Sequence, residues 1–220
     1  MPPGLAARLR EQTWPLHRQV ERAGIMPTLL AGRLPRAGYC VLLRNLWEIY
    51  RTLEDALRRH ADDAALSPIV LPPLFRADAL AADLTALDGH GWEALPRTPA
   101  AGAYVRRLQA LDRHQPARLV AHAYVRYLGD LAGGQIVGRI VGESLRLAGD
   151  RGRRFYDFGD RARAGELAER FRAGLDNAAV AAHAAAIVDE ARLAFRLHAR
   201  LFEQLAAADQ SPCDSRRTSP

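Results

Sequence analysis

Seven consecutive residues, Gly129-Asp130-Leu131-Ala132-Gly133-Gly134-Gln135, sit inside a stretch whose apolar spacing otherwise reads as helix. An interior glycine costs about 1 kcal/mol relative to alanine, so three of them in six residues call for a compensating gain. Three explanations are open. The segment is a loop between two helices; or Gly129 and Gly133, one turn apart on one face, admit a crossing helix; or a flat ligand lies against the bare backbone. A second group with chemical capacity is His17, beside the apolar stripe of the first helical segment. Glu21, one turn later, is placed to accept one ring N–H and so fix the neutral tautomer that binds a metal. Taken alone, a lone helical histidine is usually just a partly buried side chain.

Several other chemistries are excluded. The sequence contains no lysine, so no Walker A loop exists and Gly133-Gly134 is not a phosphate cradle. Gly-x-Ser-x-Gly, His-Glu-x-x-His and the Glu-x-x-His pairs of di-iron bundles are all absent. Cys40 and Cys213 are the only cysteines, too few for a disulfide framework or a thiolate metal site, and a reducing compartment fits. The formal charge of +6 is carried by arginine, whose planar fork of donors suits carboxylates. Arginine and acidic residues are interleaved rather than gathered into a basic stripe, which argues against nucleic acid. Met1 to Arg10 lacks the apolar core of a signal peptide, and no run approaches the roughly 20 apolar residues of a membrane span, so a cytoplasmic protein is expected.

The elements that would position these residues are helical throughout. With 220 residues, 49% of them apolar and 25% charged, the chain supports one all-α domain, expected over 1–208, followed by a disordered tail over 209–220. A first helix carries Leu5, Leu9, Leu16 and Val20 and ends near Gly24; Pro15 should kink it or mark its effective start after Thr13 as N-cap. A long core helix spans about Pro35 to His60, and a shorter one about Leu74 to Leu87. Thr98-Pro99 reads as N-cap and first position of the next helix. Pro116 to Leu147 has the composition of one long helix interrupted by Gly129, Gly133, Gly134 and Gly138. Gly149 to Gly159 is an arginine-rich polar loop, and two last helices follow near Arg161 to Leu175 and Val180 to Ala207.

Ala121-His122-Ala123-Tyr124-Val125-Arg126-Tyr127-Leu128-Gly129-Asp130-Leu131-Ala132-Gly133-Gly134-Gln135 resembles the distal-helix signature of haem oxygenases, with Ala132 where serine is common. The likeness continues through Asn45-Leu46-Trp47-Glu48-Ile49-Tyr50, Tyr104-Val105-Arg106-Arg107-Leu108, and Ala194-Phe195 with Leu201-Phe202-Glu203. It covers nearly everything from Leu5 to Leu205. The resemblance implies a bundle of about eight helices with haem sandwiched between the first helix and a glycine-kinked distal helix.

It further implies that His17, with Glu21 one turn later as its spacing-based support, ligates the iron, that the backbone at Gly129 and Gly133 crowds the gas-binding side, and that Gly134 joins them in binding haem. Asp130 matches the family's catalytic aspartate. Arg126, one turn away, either joins its network or braces it as a structural ion pair. Tyr50, Tyr104 and Tyr127 match supporting positions of a water network, and Phe195 a pocket wall. Arg10 and Tyr124 match propionate-binding positions, with Arg163, Arg170 and Arg172 as further candidates on the penultimate helix. Two departures stand out: Trp14 replaces a residue that is often basic, and His198 replaces one that usually bears an amide. The implied activity is oxygenation of haem to biliverdin, carbon monoxide and ferrous iron by a monomer, with electrons from an external ferredoxin or flavoprotein reductase, to which the basic surface is suited. A haem sensor without turnover and a purely structural bundle are the other readings.

Overall fold

Apolar residues at helical spacing dictate helices, and the computed structural model, which describes residues 3–210, contains no strand among them. In chain order the α-helices are α1 (Leu5–Val20), α2 (Met26–Leu30), α3 (Arg36–Arg59), α4 (Ala77–Asp88), α5 (Pro99–His114), α6 (Leu119–Ala123), α7 (Gly129–Ser144), α8 (Arg161–Leu175), α9 (Ala178–Ala181) and α10 (Ala184–Gln210). Seven of these have twelve residues or more. Helices α4 and α5 both pack against α3, whose Leu43, Ile49, Leu53 and Leu57 are fully buried. The other long contact is α1 along α10.

The first helix runs from Leu5 through Pro15 to Val20, which corrects the alternative that it starts after Thr13. Thr13 is not a cap. It is buried within the helix, and its hydroxyl donates back to the Leu9 carbonyl at 2.7 Å. The helix start is held from outside, by Asp176 beyond the end of α8, which accepts from Ala6 N at 2.9 Å. At its other end Gly24 has φ 49°, and a Cβ there would fall 2.0 Å from the Phe202 carbonyl oxygen. Only glycine therefore allows α1 to turn so closely beneath α10.

Thr98 caps α5 as expected, accepting from Ala101 N at 3.1 Å with Pro99 at the first position. Beyond the Pro116 turn the backbone is helical without a gap from Leu119 to Ser144, but residues Tyr124–Leu128 form a π turn. The expected last helix from Val180 is instead broken into α9 and α10. The Gly149–Gly159 segment is less polar than expected: Phe155, Tyr156 and Phe158 are buried, and Arg154–Tyr156 form a short 3-10 turn. Asp83 of α4 anchors that turn by accepting from Arg154 N at 2.9 Å and Phe155 N at 2.8 Å. Helix α10 continues through the point where a disordered tail was expected to begin, and residues 211–220 of that expectation lie outside the described ones. Among the described residues no helix is long and apolar enough to cross a membrane.

Candidate active site

Gly129 has helical dihedrals, φ −63° and ψ −47°, and none of the α7 glycines has positive φ. Their purpose is therefore space rather than backbone freedom. A Cβ at Gly129 or Gly133 would meet nothing within 4 Å, so neither a loop nor a crossing helix explains them. Gly134 and Gly138 differ. A Cβ at those positions would lie 3.7 Å and 2.9 Å from Tyr156, so they seat the loop that follows α7. One face of the same helix turn is thus bare over a cavity while its neighbour is packed.

That cavity has a volume of about 400 Å³. Its floor and walls come from His17 of α1, Leu29 of α2, Leu42 and Leu46 of α3, Phe155 and Tyr156 of the loop, and Phe195 of α10. A second cavity of about 410 Å³ shares His17, Val125, Gly129 and Phe195 with the first, so the two are one cleft. At its outer end stand Arg10, Arg172 and Tyr124, with Thr13, Trp14 and Asp176. The inner part is largely apolar and the outer end carries two guanidinium groups, which suits a flat apolar molecule with acidic substituents.

On the α7 side a polar cluster converges. Arg126 donates through Nε to Tyr50 Oη at 2.7 Å, through Nη1 to His198 Nε2 at 2.8 Å and through Nη2 to Asp130 Oδ1 at 3.0 Å. Tyr50 Oη in turn donates to Asp130 Oδ2. Burial pushes the Asp130 carboxyl above the ordinary carboxylate range, with the Arg126 charge and the Tyr50 hydroxyl pulling against it. Burial also raises Tyr50, which keeps its proton available as a donor. The expected pairing of Arg126 with Asp130 is present, and so is the place of Tyr50 beside it.

On the α1 side His17 lies flat against Trp14, with centroids 5.7 Å apart and planes at 10°, and meets Phe195 edge-on at 6.0 Å. Its Nδ1 is buried without a hydrogen-bond partner. Glu21 Oε1 stands 3.6 Å from it, too far for the expected hydrogen bond. Trp14 itself is 51% exposed.

The model of the family described as "Heme oxygenase" matches residues 3–204. The chain belongs to the haem oxygenase family. It is 36% identical to human haem oxygenase 1 over 96% of this chain and 77% of that protein. It is 33% identical to haem oxygenase 1 of the cyanobacterium Nostoc, covering 93% and 87%. Among solved structures, haem oxygenase-1 of Synechocystis in complex with haem aligns with TM-score 0.86 at 32% identity, covering 94% of each chain. Haem oxygenase-2 of the same organism, in complex with haem and NO, aligns with TM-score 0.88 at 35% identity, covering 94% and 87%.

As a haem oxygenase, the chain carries residues that fit the macrocycle: a histidine lining the cleft, bare backbone facing the same cleft, and two arginines at its mouth. Not every expected residue joins them. Tyr104 is fully buried and bonds His122 Nδ1 at 3.0 Å, away from Asp130. Tyr127 lies behind Tyr50, among Phe75 and Phe171, with its hydroxyl unpartnered. Arg163 pairs with Glu166 at 2.7 Å, and neither it nor Arg170 lines the cleft, leaving Arg172 as the helix α8 contribution. The direct bond between His198 and Arg126 and the Phe155-Tyr156 wall were not expected. The first joins residues 72 apart and the second sits in an arginine-rich loop, so local spacing signals neither.

Proposed function

We propose that this cleft binds haem with His17 as the iron ligand, and that the protein opens the macrocycle with dioxygen and external electrons to give biliverdin, carbon monoxide and ferrous iron. The observation that carries the proposal is the bare helical backbone at Gly129 and Gly133, facing a cleft that His17 also lines. Haem, when bound, supplies both the iron that activates dioxygen and the carbon that is oxidised. The protein's own residues do the rest. His17 offers a neutral imidazole, a weaker electron donor than a thiolate. Gly129 and Gly133 leave room for a molecule to lie close to the helix. Asp130, held by Arg126 and Tyr50, orders water at the cleft and holds the proton of Tyr50 Oη at its carboxylate. Leu29, Leu42, Leu46 and Phe155 keep bulk water from the inner end. Arg10, Arg172 and Tyr124 orient the acidic edge of the ring.

The electrons come from a separate ferredoxin or flavoprotein reductase, to which a chain of net charge +6 presents a favourable field. The protein works as a cytoplasmic monomer. Hemin titration tests the binding reading: the wild type should give a Soret band that His17→Ala weakens or shifts. Ascorbate or reduced ferredoxin under oxygen should then bleach the band, release carbon monoxide and yield biliverdin on chromatography. A Soret band indifferent to His17→Ala would remove the assigned ligand, and a stable band with no product would remove the oxygenase activity.

A further inference from the structure

His198 of α10 lines the inner cleft and is 1% exposed. Its two ring nitrogens have different partners. Nδ1 lies 3.1 Å from the Ala194 carbonyl, one turn back in the same helix, and a carbonyl only accepts. The proton therefore resides on Nδ1. Nε2 is left as a bare lone pair, and the group facing it at 2.8 Å is Arg126 Nη1, which only donates. Both bonds require the same tautomer, the one with its proton on Nδ1. Protonation would set an Nε2–H against a guanidinium N–H, and burial together with the Arg126 charge holds the ring well below its ordinary pKa. The charged and titratable groups facing this ring are Arg126, Tyr104 and His122, with Tyr50 and Asp130 held on the other edges of Arg126. Its plane is fixed by Tyr104, edge-on at 5.0 Å and 87°, and by Phe202 at 6.0 Å.

We infer that His198 is a positioning residue: it clamps the Arg126 guanidinium in the orientation from which Nε reaches Tyr50 while Nη2 reaches Asp130. The inference rests on the haem reading of the cleft for its catalytic consequence, though not for the clamp itself. Tyr50 and Asp130 occupy two edges of the planar fork, on α3 and α7. The third acceptor comes from α10, so three helices fix one guanidinium against rotation. A neutral imidazole accepts at one rigid point, adds no charge, and leaves the single positive charge of Arg126 matched to Asp130 alone. Freed of it, Arg126 keeps its ion pair but loses its register with Tyr50.

The test compares His198→Ala and His198→Gln with the wild type. In the hemin-loaded protein, His198→Ala should retain the Soret band but shift the acid–alkaline absorbance transition of the ferric complex by about one pH unit. Single-turnover bleaching should slow about tenfold. His198→Gln, whose amide oxygen accepts from Arg126, should restore both readings. If His198→Ala lowers the thermal midpoint yet leaves transition and turnover in place, His198 only packs and the inference fails. In the apoprotein, the Arg126 Nε–H resonance should exchange with solvent about tenfold faster in His198→Ala. Equal exchange overturns the clamp. A wild type without a Soret band would instead sink the haem reading, with the exchange rates still deciding the clamp. Should the alanine variant not fold, His198→Phe, which keeps the volume but accepts nothing, takes its place.

Discussion

At the scale of single residues, the cleft is made by what Gly129 and Gly133 lack. Both have dihedrals that any residue tolerates, so glycine there loses helix stability and gains no backbone freedom. Alanine at either position meets nothing within 4 Å in the protein itself. We therefore expect Gly129→Ala and Gly133→Ala each to stabilise the apoprotein by about 0.5–1 kcal/mol, read as a higher urea midpoint. The added methyl projects into the space a bound macrocycle would fill. Hemin affinity should fall by about tenfold, the cost of mild overpacking, as read by Soret titration. A variant that is more stable and binds hemin as tightly as the wild type would show that the bare backbone does not face the ligand.

At the scale of elements, the same helix makes the opposite demand little more than a turn beyond Gly133. Gly138 would place a Cβ 2.9 Å from Tyr156 Cβ, a near-backbone atom that cannot swing aside. The turn carrying Tyr156 is itself pinned through Arg154 N and Phe155 N to the buried Asp83 carboxylate. Gly138→Ala should consequently destabilise the protein by about 1–3 kcal/mol despite its better helix propensity, a sign opposite to that of Gly129→Ala in the same urea assay. Helices were legible because their apolar periods and their Pro, Gly and Thr-Pro boundaries are local properties of the chain. The π turn over Tyr124–Leu128 was not: it contains no glycine or proline, and nothing in residue type separates it from the α turns around it. Within the site, one-turn spacing put Arg126 beside Asp130, while His17 and the glycines were singled out as site residues by the resemblance to haem oxygenases and not by spacing. Long-range geometry decided the remainder. Tyr104 turns to His122, Tyr127 turns into the core, and of the three candidate arginines on α8 only Arg172 lines the cleft.

At the scale of the whole molecule, stability is tied to pH through ionisable groups buried in the folded state. Glu54 of α3 is fully buried and holds the start of α4 by accepting from Arg76 N and Ala77 N, the latter at 3.1 Å. Burial pushes its carboxyl from the ordinary 4.5 up to about 7, the two backbone donors and nearby arginines only partly offsetting it. The fold thus disfavours the ionised form. Between about 4.5 and about 7 the native state holds a proton that the unfolded chain has released, so this contribution to stability drains away as pH rises through that window. Asp83, raised to about 6, acts in the same direction, whereas His122 and His198, both held below 6.5 chiefly by burial, lose stability as pH falls below that value. The wild-type profile is therefore a composite, and a difference against one variant isolates one group. Glu54→Gln keeps a neutral acceptor at the α4 start and removes the titration. Relative to the wild type it should gain about 3 kcal/mol in unfolding free energy between pH 4.5 and pH 7.5, read from paired urea titrations. A difference that stays flat across the window would mean that Glu54 ionises in the fold as it does in the unfolded chain, and that the α4 start is held by a charged carboxylate throughout.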